Sequence, residues 1–147
     1  EPKTTYVAEF MGGWNVVTGT IADTKNGETI VKGGDGQVYG VNVSDAIVGK
    51  DMNIGVRRDK VHLNKEKSGD VNSVAGVVHA IEYQGNWVKV TIVKQNDERL
   101  VAVIEDHEFF KSPAIVGDNV HAVWSVADGR MLETAVGSQN LIGESFD

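Results

Sequence analysis

Short runs of alternating apolar residues constrain the fold of this chain more than any other feature of its sequence. In residues 39–43, 88–92 and 120–126, every second side chain is apolar, which is the period of a β-strand. Helical spacing is confined to residues 4–11 and stops at a Gly-Gly pair. The pattern therefore predicts an all-β fold with one short N-terminal helix.

Turn signals separate the predicted strands. The dipeptides Asn26-Gly27 and Asp128-Gly129 tolerate positive φ at both central positions, so each predicts a tight hairpin. Residues 33–36, Gly-Gly-Asp-Gly, form a further turn signal and lack the lysine and following helix that a phosphate loop needs.

The two halves of the chain share a common skeleton. Residues 17–21 resemble residues 74–78, and the Val-Gly-Lys-Asp of 48–51 resembles the Val-Gly-Asp of 116–118. Each half then ends in a short apolar strand. The second half is longer by residues 105–113, which we interpret as an inserted loop or a single helical turn. The repeat predicts two small β-barrel modules of about five strands each, packed on one another.

Composition excludes several classes of function. The chain has 147 residues and no cysteine, which rules out disulfides, thiolate catalysis and cysteine-ligated zinc and is typical of a cytosolic protein. Its 14 basic residues against 21 acidic ones give a formal net charge of −7, which disfavours nucleic acid as a partner. A start at Glu1 rather than Met, without a signal-peptide pattern, suggests a piece of a longer protein.

No catalytic centre is evident from the sequence. The chain has neither a Gly-x-x-x-x-Gly-Lys-Ser/Thr phosphate loop nor a nucleophile elbow around any serine. His107 lies among Glu105, Asp106 and Glu108, which we interpret as a solvated charged loop in preference to a cation site. We therefore predict no catalytic residues, no metal site and no cofactor in this chain.

Two kinds of residue stand out as candidate contacts. Arg57 and Asp59 belong to the densest basic cluster, Arg-Arg-Asp-Lys, which suits either an anion or subunit contact or an ordinary surface ion-pair group. Trp14 and Trp87 lie beside turns, where an aromatic ring can meet a ligand or partner, although packing in the core is the alternative for each. Trp124 is predicted to lie in the core.

The N-terminal residues resemble a segment of the ATP-binding subunits of bacterial ABC importers. Pro2, the run Tyr-Val-Ala-Glu-Phe-Met-Gly at 6–12 and Asn15 match a pattern that follows the ATPase domain in that family. The resemblance continues in order through residues 17–21 and 54–61.

A second stretch of the chain resembles the TOBE-type module of the same family. It comprises residues 74–78, Tyr83 with Gly85, and residues 116–120. Arg58 and Asp59 replace the proline and glutamate of the family's Ile-Arg-Pro-Glu-x-Val/Ile motif, and the Ser-Ala-Arg-Asn signature of molybdate-binding relatives is missing. Oxyanion storage is therefore not favoured.

The resemblance implies a domain organisation and a role. Residues 1–16 would be the N-terminal helix and linker from a missing ATPase domain, 17–66 a first OB-like module, 67–136 a second TOBE-type module and 137–147 a tail. The boundary between the modules falls in the polar linker 64–70.

The implied function is a non-catalytic regulatory and dimerisation domain of an importer subunit that is cytoplasmic and peripheral to the inner membrane. ATP and Mg would bind the missing domain. The implied partners are a second copy of the subunit, the membrane permease subunits and a regulatory protein or small molecule. The candidate dimer, regulatory or ligand contacts are Trp14, Asn15, Arg57, Asp59 and Trp87.

Two alternative functions remain at this point. One is a small β-barrel sensor that binds an oxyanion or metabolite. The other is an oligonucleotide-binding barrel, which the surplus of acidic residues disfavours. The sequence leaves the transported solute and the oligomeric state of the chain open.

Overall fold

The computed structural model describes residues 13–67, 69 and 72–132. The helix predicted at residues 4–11 and the tail at 137–147 lie outside the described residues. The ten strands of the described part are β1 (Trp14–Lys25), β2 (Glu28–Gly33), β3 (Val38–Val41), β4 (Asp51–Arg57), β5 (His62–Asn64), β6 (Asn72–Gln84), β7 (Trp87–Lys94), β8 (Arg99–Glu105), β9 (Asn119–Trp124) and β10 (Gly129–Leu132). The all-β prediction is confirmed.

Three short helical segments interrupt the strands in the described part of the chain. They are an α-helix, α1 (Asp106–Lys111), and two 3₁₀ turns at Arg58–Lys60 and Val126–Asp128. Helix α1 is the insertion predicted between residues 105 and 113, and its Phe109 is buried. Within the described ranges, no helix has the length and apolar character that a membrane crossing requires.

The strands form two antiparallel five-stranded sheets, one in each of two compact units. The first sheet has the order β10-β4-β1-β2-β3, and the second has the order β5-β9-β6-β7-β8. The first unit contains the described residues up to Arg57 and those from Val126 onward, and the second contains Arg58 to Ser125. The prediction of two modules with about five strands each agrees with this arrangement.

The units do not divide at the polar linker of residues 64–70, because each unit includes a strand from the other half of the sequence. Strand β5 pairs with β9 through Leu63 opposite Ala122, and β10 pairs with β4 through Met131 opposite Ile54. The hairpin predicted at Asp128-Gly129 is therefore wrong. Asp128 ends a 3₁₀ turn, and Gly129 begins a strand that pairs with β4 rather than with β9.

The internal repeat of the sequence appears as a repeat of backbone geometry. Strand β1 has an irregularity after Ile21, and β6 has one after Val78. The Ile21 N–H donates to the Lys50 carbonyl at 2.8 Å, and the Val78 N–H donates to the Asp118 carbonyl at 2.9 Å. Strands β1–β4 of the first unit therefore correspond to β6–β9 of the second.

The predicted alternation places the apolar residues in the cores. Val88, Val90 and Ile92 have no exposed surface, and Trp124 is 1% exposed, which confirms its predicted position in the core of the second unit. The core of the first unit is built in the same way around residues such as Ile54. Each buried side chain of this kind stabilises the fold by roughly 1.5–3 kcal/mol relative to an exposed one.

Candidate functional site

Three of the five candidate contact residues lie together in the first unit, where β1 begins and β4 ends. Trp14 is directly opposite Arg57, and Asn15 is opposite Val56. Because side chains that face each other across a strand pair share one side of the sheet, half-buried Trp14 lies beside exposed Arg57. Asn15 alternates to the core side and is buried.

The Trp14 ring packs over a glycine of β4. A Cβ on Gly55 would lie 3.1 Å from Cε3 of Trp14 and 2.9 Å from Cδ1 of Leu132. The indole therefore packs closely over the backbone of β4, and a side chain at residue 55 would displace it. This packing leaves Arg57, at the end of the strand, as the exposed member of the pair.

The other two candidates belong to the second unit. Asp59 is half-buried in the 3₁₀ turn Arg58–Lys60. Trp87 starts β7, opposite Gln84 and Glu105, and is 41% exposed. It alternates with fully buried Val88, so its ring lies on the outer side of the sheet.

An aromatic cluster in the second unit was missed by sequence reasoning. Tyr83 stacks on Phe110 with centroids 6.0 Å apart and planes 1° apart, and it meets Phe109 edge-on at 6.2 Å. Tyr83 is 62% exposed and Phe110 is 57% exposed. The side chain opposite Tyr83 is Val88, so Trp87 lies on the other side of the sheet from this cluster. No local pattern predicts that residues so far apart in sequence meet.

Each unit also has a cleft, and the two clefts occupy corresponding positions. The first cleft has a volume of about 590 Å³ and lies over Gly19, beside Gly33 and Asp51. The second has a volume of about 330 Å³ and lies over Gly76, beside Lys94 and Asn119.

The strand register proves that the clefts correspond. Gly19 is opposite Gly33 in β2 and Met52 in β4, whereas Gly76 is opposite Lys94 in β7 and Val120 in β9. The same comparison matches Asp51 with Asn119 and Asn53 with His121, since these residues face equivalent positions of β1 and β6.

A glycine of the central strand lines each cleft and leaves no room for a side chain. A Cβ on Gly19 would clash with the backbone carbonyl of Lys32, and a Cβ on Gly76 would clash with the Ile92 side chain and lie 2.9 Å from the carbonyl oxygen of Val93. The glycine that repeats in β1 and β6 is therefore the position where the backbone of the neighbouring strand approaches closely.

The chemistry of the two clefts differs. The first contains a cation and an anion, Lys32 and Asp51, and the Thr20 hydroxyl lies 3.4 Å from the Asp51 carboxylate. The second is lined by apolar residues that include Val77 and Val93, and its lining also includes the basic residues Lys65, Lys94 and His121. The sequence repeat predicts that equivalent positions of the two units correspond. It does not predict that basic residues line the second cleft, because these residues come from separate parts of the chain.

The side chains around His107 form a charged cluster near the surface. His107 lies 3.4 Å from Glu105 and 3.9 Å from Asp106, and the side chains of His107 and Glu105 are more than half exposed. In residues 13–67, 69 and 72–132, no group of three or more His, Asp or Glu is arranged to hold a metal ion. The geometry supports the interpretation of a solvated charged segment.

Comparison with protein families gives one match that covers more than half of the chain. The model of the TOBE domain matches residues 54–132. This range runs from β4 to β10 and so contains parts of both compact units.

Two relatives are ATP-binding proteins of importers. The spermidine/putrescine import ATP-binding protein PotA of Protochlamydia amoebophila is 28% identical over 140 residues, which is 90% of this chain and 37% of the relative. PotA of Thermobifida fusca is 28% identical over 127 residues, 84% of this chain and 32% of the relative. The chain thus spans about a third of the length of these relatives.

A solved structure supports the fold. The cytoplasmic molybdate-binding protein ModG, with molybdate bound, has a TM-score of 0.74 and 19% sequence identity, covering 81% of this chain and 95% of ModG. The match to residues 54–132 and the similarity to two import ATP-binding proteins confirm the resemblance stated from the sequence. The chain belongs to the TOBE domain family, whose relatives here are ATP-binding subunits of ABC importers.

Proposed function

We propose that this chain is a non-catalytic regulatory and dimerisation domain of an ABC importer ATP-binding subunit. The observation that carries the proposal is the TOBE domain match over residues 54–132, together with similarity to import ATP-binding proteins over most of the chain. The chain would act within a longer subunit that supplies ATP and Mg binding in its ATPase domain.

The proposal implies a location and a set of partners. A subunit of this kind would be cytoplasmic and would reach the inner membrane through permease subunits that contact its ATPase domain. A second copy of the subunit would pair with this domain. A regulatory protein or small molecule would bias the cycle of nucleotide binding and release.

Trp14 and Arg57 support a contact role for the first unit. Trp and Arg are enriched among the residues that dominate protein interfaces. Here the two lie opposite each other, the indole packed over β4 and the guanidinium exposed at the end of the strand. Trp87 offers a second aromatic contact because it is exposed on the outer side of its sheet.

An assay of ATP hydrolysis tests the non-catalytic part of the proposal. The purified chain is expected to show no turnover above a buffer blank at any Mg concentration. Turnover that follows the chain through two independent purification steps would overturn this part.

A second candidate function is small-ligand or oxyanion sensing. ModG, which shares the fold, is a molybdate-binding protein, and basic residues are among those that line the cleft of the second unit. A thermal-melting screen of oxyanions, sugars and polyamines tests this function. A concentration-dependent rise in the melting temperature is expected for a ligand, and a flat screen would contradict it.

A further inference from the structure

The turn between β1 and β2 exposes an Asn-Gly pair that lies outside the sheet. Lys25 is opposite Glu28 in the last pair of the ladder, so Asn26 and Gly27 are the two central residues of the turn. Their φ angles are 55° and 78°, and positive values at both positions are typical of a type I′ turn. Both residues are exposed, so the Asn26 amide and the backbone nitrogen that follows it are open to water.

An asparagine side chain can react with the backbone nitrogen of the next residue. The nitrogen attacks Cγ to form a cyclic imide, and the side-chain amide nitrogen leaves as ammonia, taking the proton of the backbone N–H. Water then opens the imide at either of its carbonyl groups, which gives aspartate or isoaspartate. The reaction is fastest when the attacking nitrogen is free of hydrogen bonds and is not crowded by a side chain.

Gly27 meets both requirements of this reaction. Its N–H forms no backbone hydrogen bond with the described part of the chain, because the residue lies beyond the last pair of the ladder. It has no side chain of its own, and even a Cβ at this position would meet nothing within 4 Å. The Gly27 nitrogen can therefore attack without first losing a hydrogen bond to a neighbouring strand.

The turn between β6 and β7 connects the corresponding strands of the second unit and provides an internal comparison. Gln84 is opposite Trp87 there, so Gly85 and Asn86 are the central residues and the asparagine comes second. The residue after Asn86 is therefore Trp87, whose large side chain crowds its backbone nitrogen. One hairpin of the repeat thus has the order that favours cyclisation, and the other has the reverse order.

We propose that Asn26 is a site of spontaneous deamidation in the folded chain, with Gly27 as the attacking residue and water as the second reactant. Asn26 is the only asparagine of the sequence that precedes a glycine. Asn15 and Asn72, in contrast, are each 5% exposed and lie within strands. The product carries one more negative charge, at the exposed tip of the hairpin between β1 and β2.

Incubation of the purified chain in mildly alkaline buffer tests the proposal. Ion-exchange chromatography is expected to show a more acidic species that grows with time while ammonia is released. Tryptic digestion is expected to place the change in the peptide of residues 26–32, which follows Lys25. Asn26→Gly is expected to abolish this species, and it keeps the turn because Gly-Gly also suits a type I′ turn.

Asn86→Asp is the matched control, since it removes the amide of the other hairpin turn, and it is expected to leave the rate of conversion at Asn26 unchanged. A melting curve verifies that both variants are folded. A parallel incubation in urea separates the folded chain from the unfolded one. Conversion of residues 26–32 that occurs only in urea would overturn the inference, because the folded turn would then protect Asn26. An acidic species that forms at the same rate in Asn26→Gly would overturn it as well.

Discussion

Gly33 and Lys94 occupy the same turn position in the two sheets. The Gly33 N–H donates to the Gln37 carbonyl at 2.8 Å, and the Lys94 N–H donates to the Glu98 carbonyl at 2.7 Å. Each turn also contains an equivalent side-chain hydrogen bond. The Asp35 carboxylate accepts from the Gln37 N–H, and the Asn96 side-chain oxygen accepts from the Glu98 N–H. The two halves of the repeat therefore have the same backbone geometry at this position. Gly33 has no side chain there, whereas Lys94 has a buried ammonium group.

Removing the carboxylate that holds Lys94 should destabilise the second unit. Glu98→Gln removes the carboxylate that accepts from the buried Lys94 ammonium, and we expect the free energy of unfolding to fall by about 1 kcal/mol, a value kept small because Glu98 is largely exposed. Urea denaturation measures this change. Glu82→Gln is the control, because its 3.9 Å pair with Lys89 is on the surface, and an equal loss in both variants would contradict the account.

The glycine at the floor of each cleft should resist substitution. Gly76→Ala is expected to lower the free energy of unfolding by about 1–3 kcal/mol, because the new methyl group collides with Ile92 and the Val93 carbonyl. Gly34→Ala is the control, since a Cβ there meets nothing within 4 Å. Similar denaturant midpoints for the two variants would show that the strands do not approach as closely as described.

The aromatic cluster offers a comparison between adjacent residues. Phe109 is 4% exposed and Phe110 is 57% exposed. Phe109→Ala should lower the free energy of unfolding by about 3 kcal/mol because it leaves a cavity beneath Tyr83, while Phe110→Ala should cost less than about 1 kcal/mol. Thermal melts of both variants test the difference, and a greater loss for Phe110→Ala would contradict the placement of α1.

The exchange of β5 and β10 makes each unit depend on both halves of the sequence. A fragment of residues 1–67 lacks β10, and a fragment of residues 68–147 lacks β5. We expect neither fragment to give a dispersed NMR spectrum alone and a mixture of the two to recover one, because each sheet needs a strand from the other fragment. A fully dispersed spectrum from either fragment alone would contradict the pairing.

Much of the fold could be predicted from the sequence because it rests on local rules. The alternation of apolar residues predicted the strands, and Asn26-Gly27 predicted a hairpin. The two similar glycine-containing strands predicted the repeat. The inserted segment was placed correctly because the second half of the repeat is longer than the first at this point.

The strand exchange could not be predicted, since it depends on long-range pairing. The short strands at 62–64 and 129–132 carry no signal for whether they pair with their own half or with the other. For the same reason the hairpin expected at Asp128-Gly129 was wrong, although the dipeptide suits a turn.

The sequence identified the candidate contacts one by one from their residue types. The structure shows which of them lie near each other. Trp14 and Arg57 share one side of a sheet, whereas Asp59 and Trp87 lie in the other unit. Whether any of them contacts a partner stays a prediction. The basic cleft was missed because Lys65, Lys94 and His121 come from different strands or connections.

Sedimentation equilibrium of the purified chain over a range of concentrations tests the proposed dimerisation role most directly. We expect a reversible monomer–dimer equilibrium that Arg57→Ala weakens roughly tenfold, as an interface arginine does, while Arg99→Ala, at another exposed arginine, leaves it unchanged. A chain that stays monomeric at every concentration, or that responds equally to both substitutions, would contradict the account.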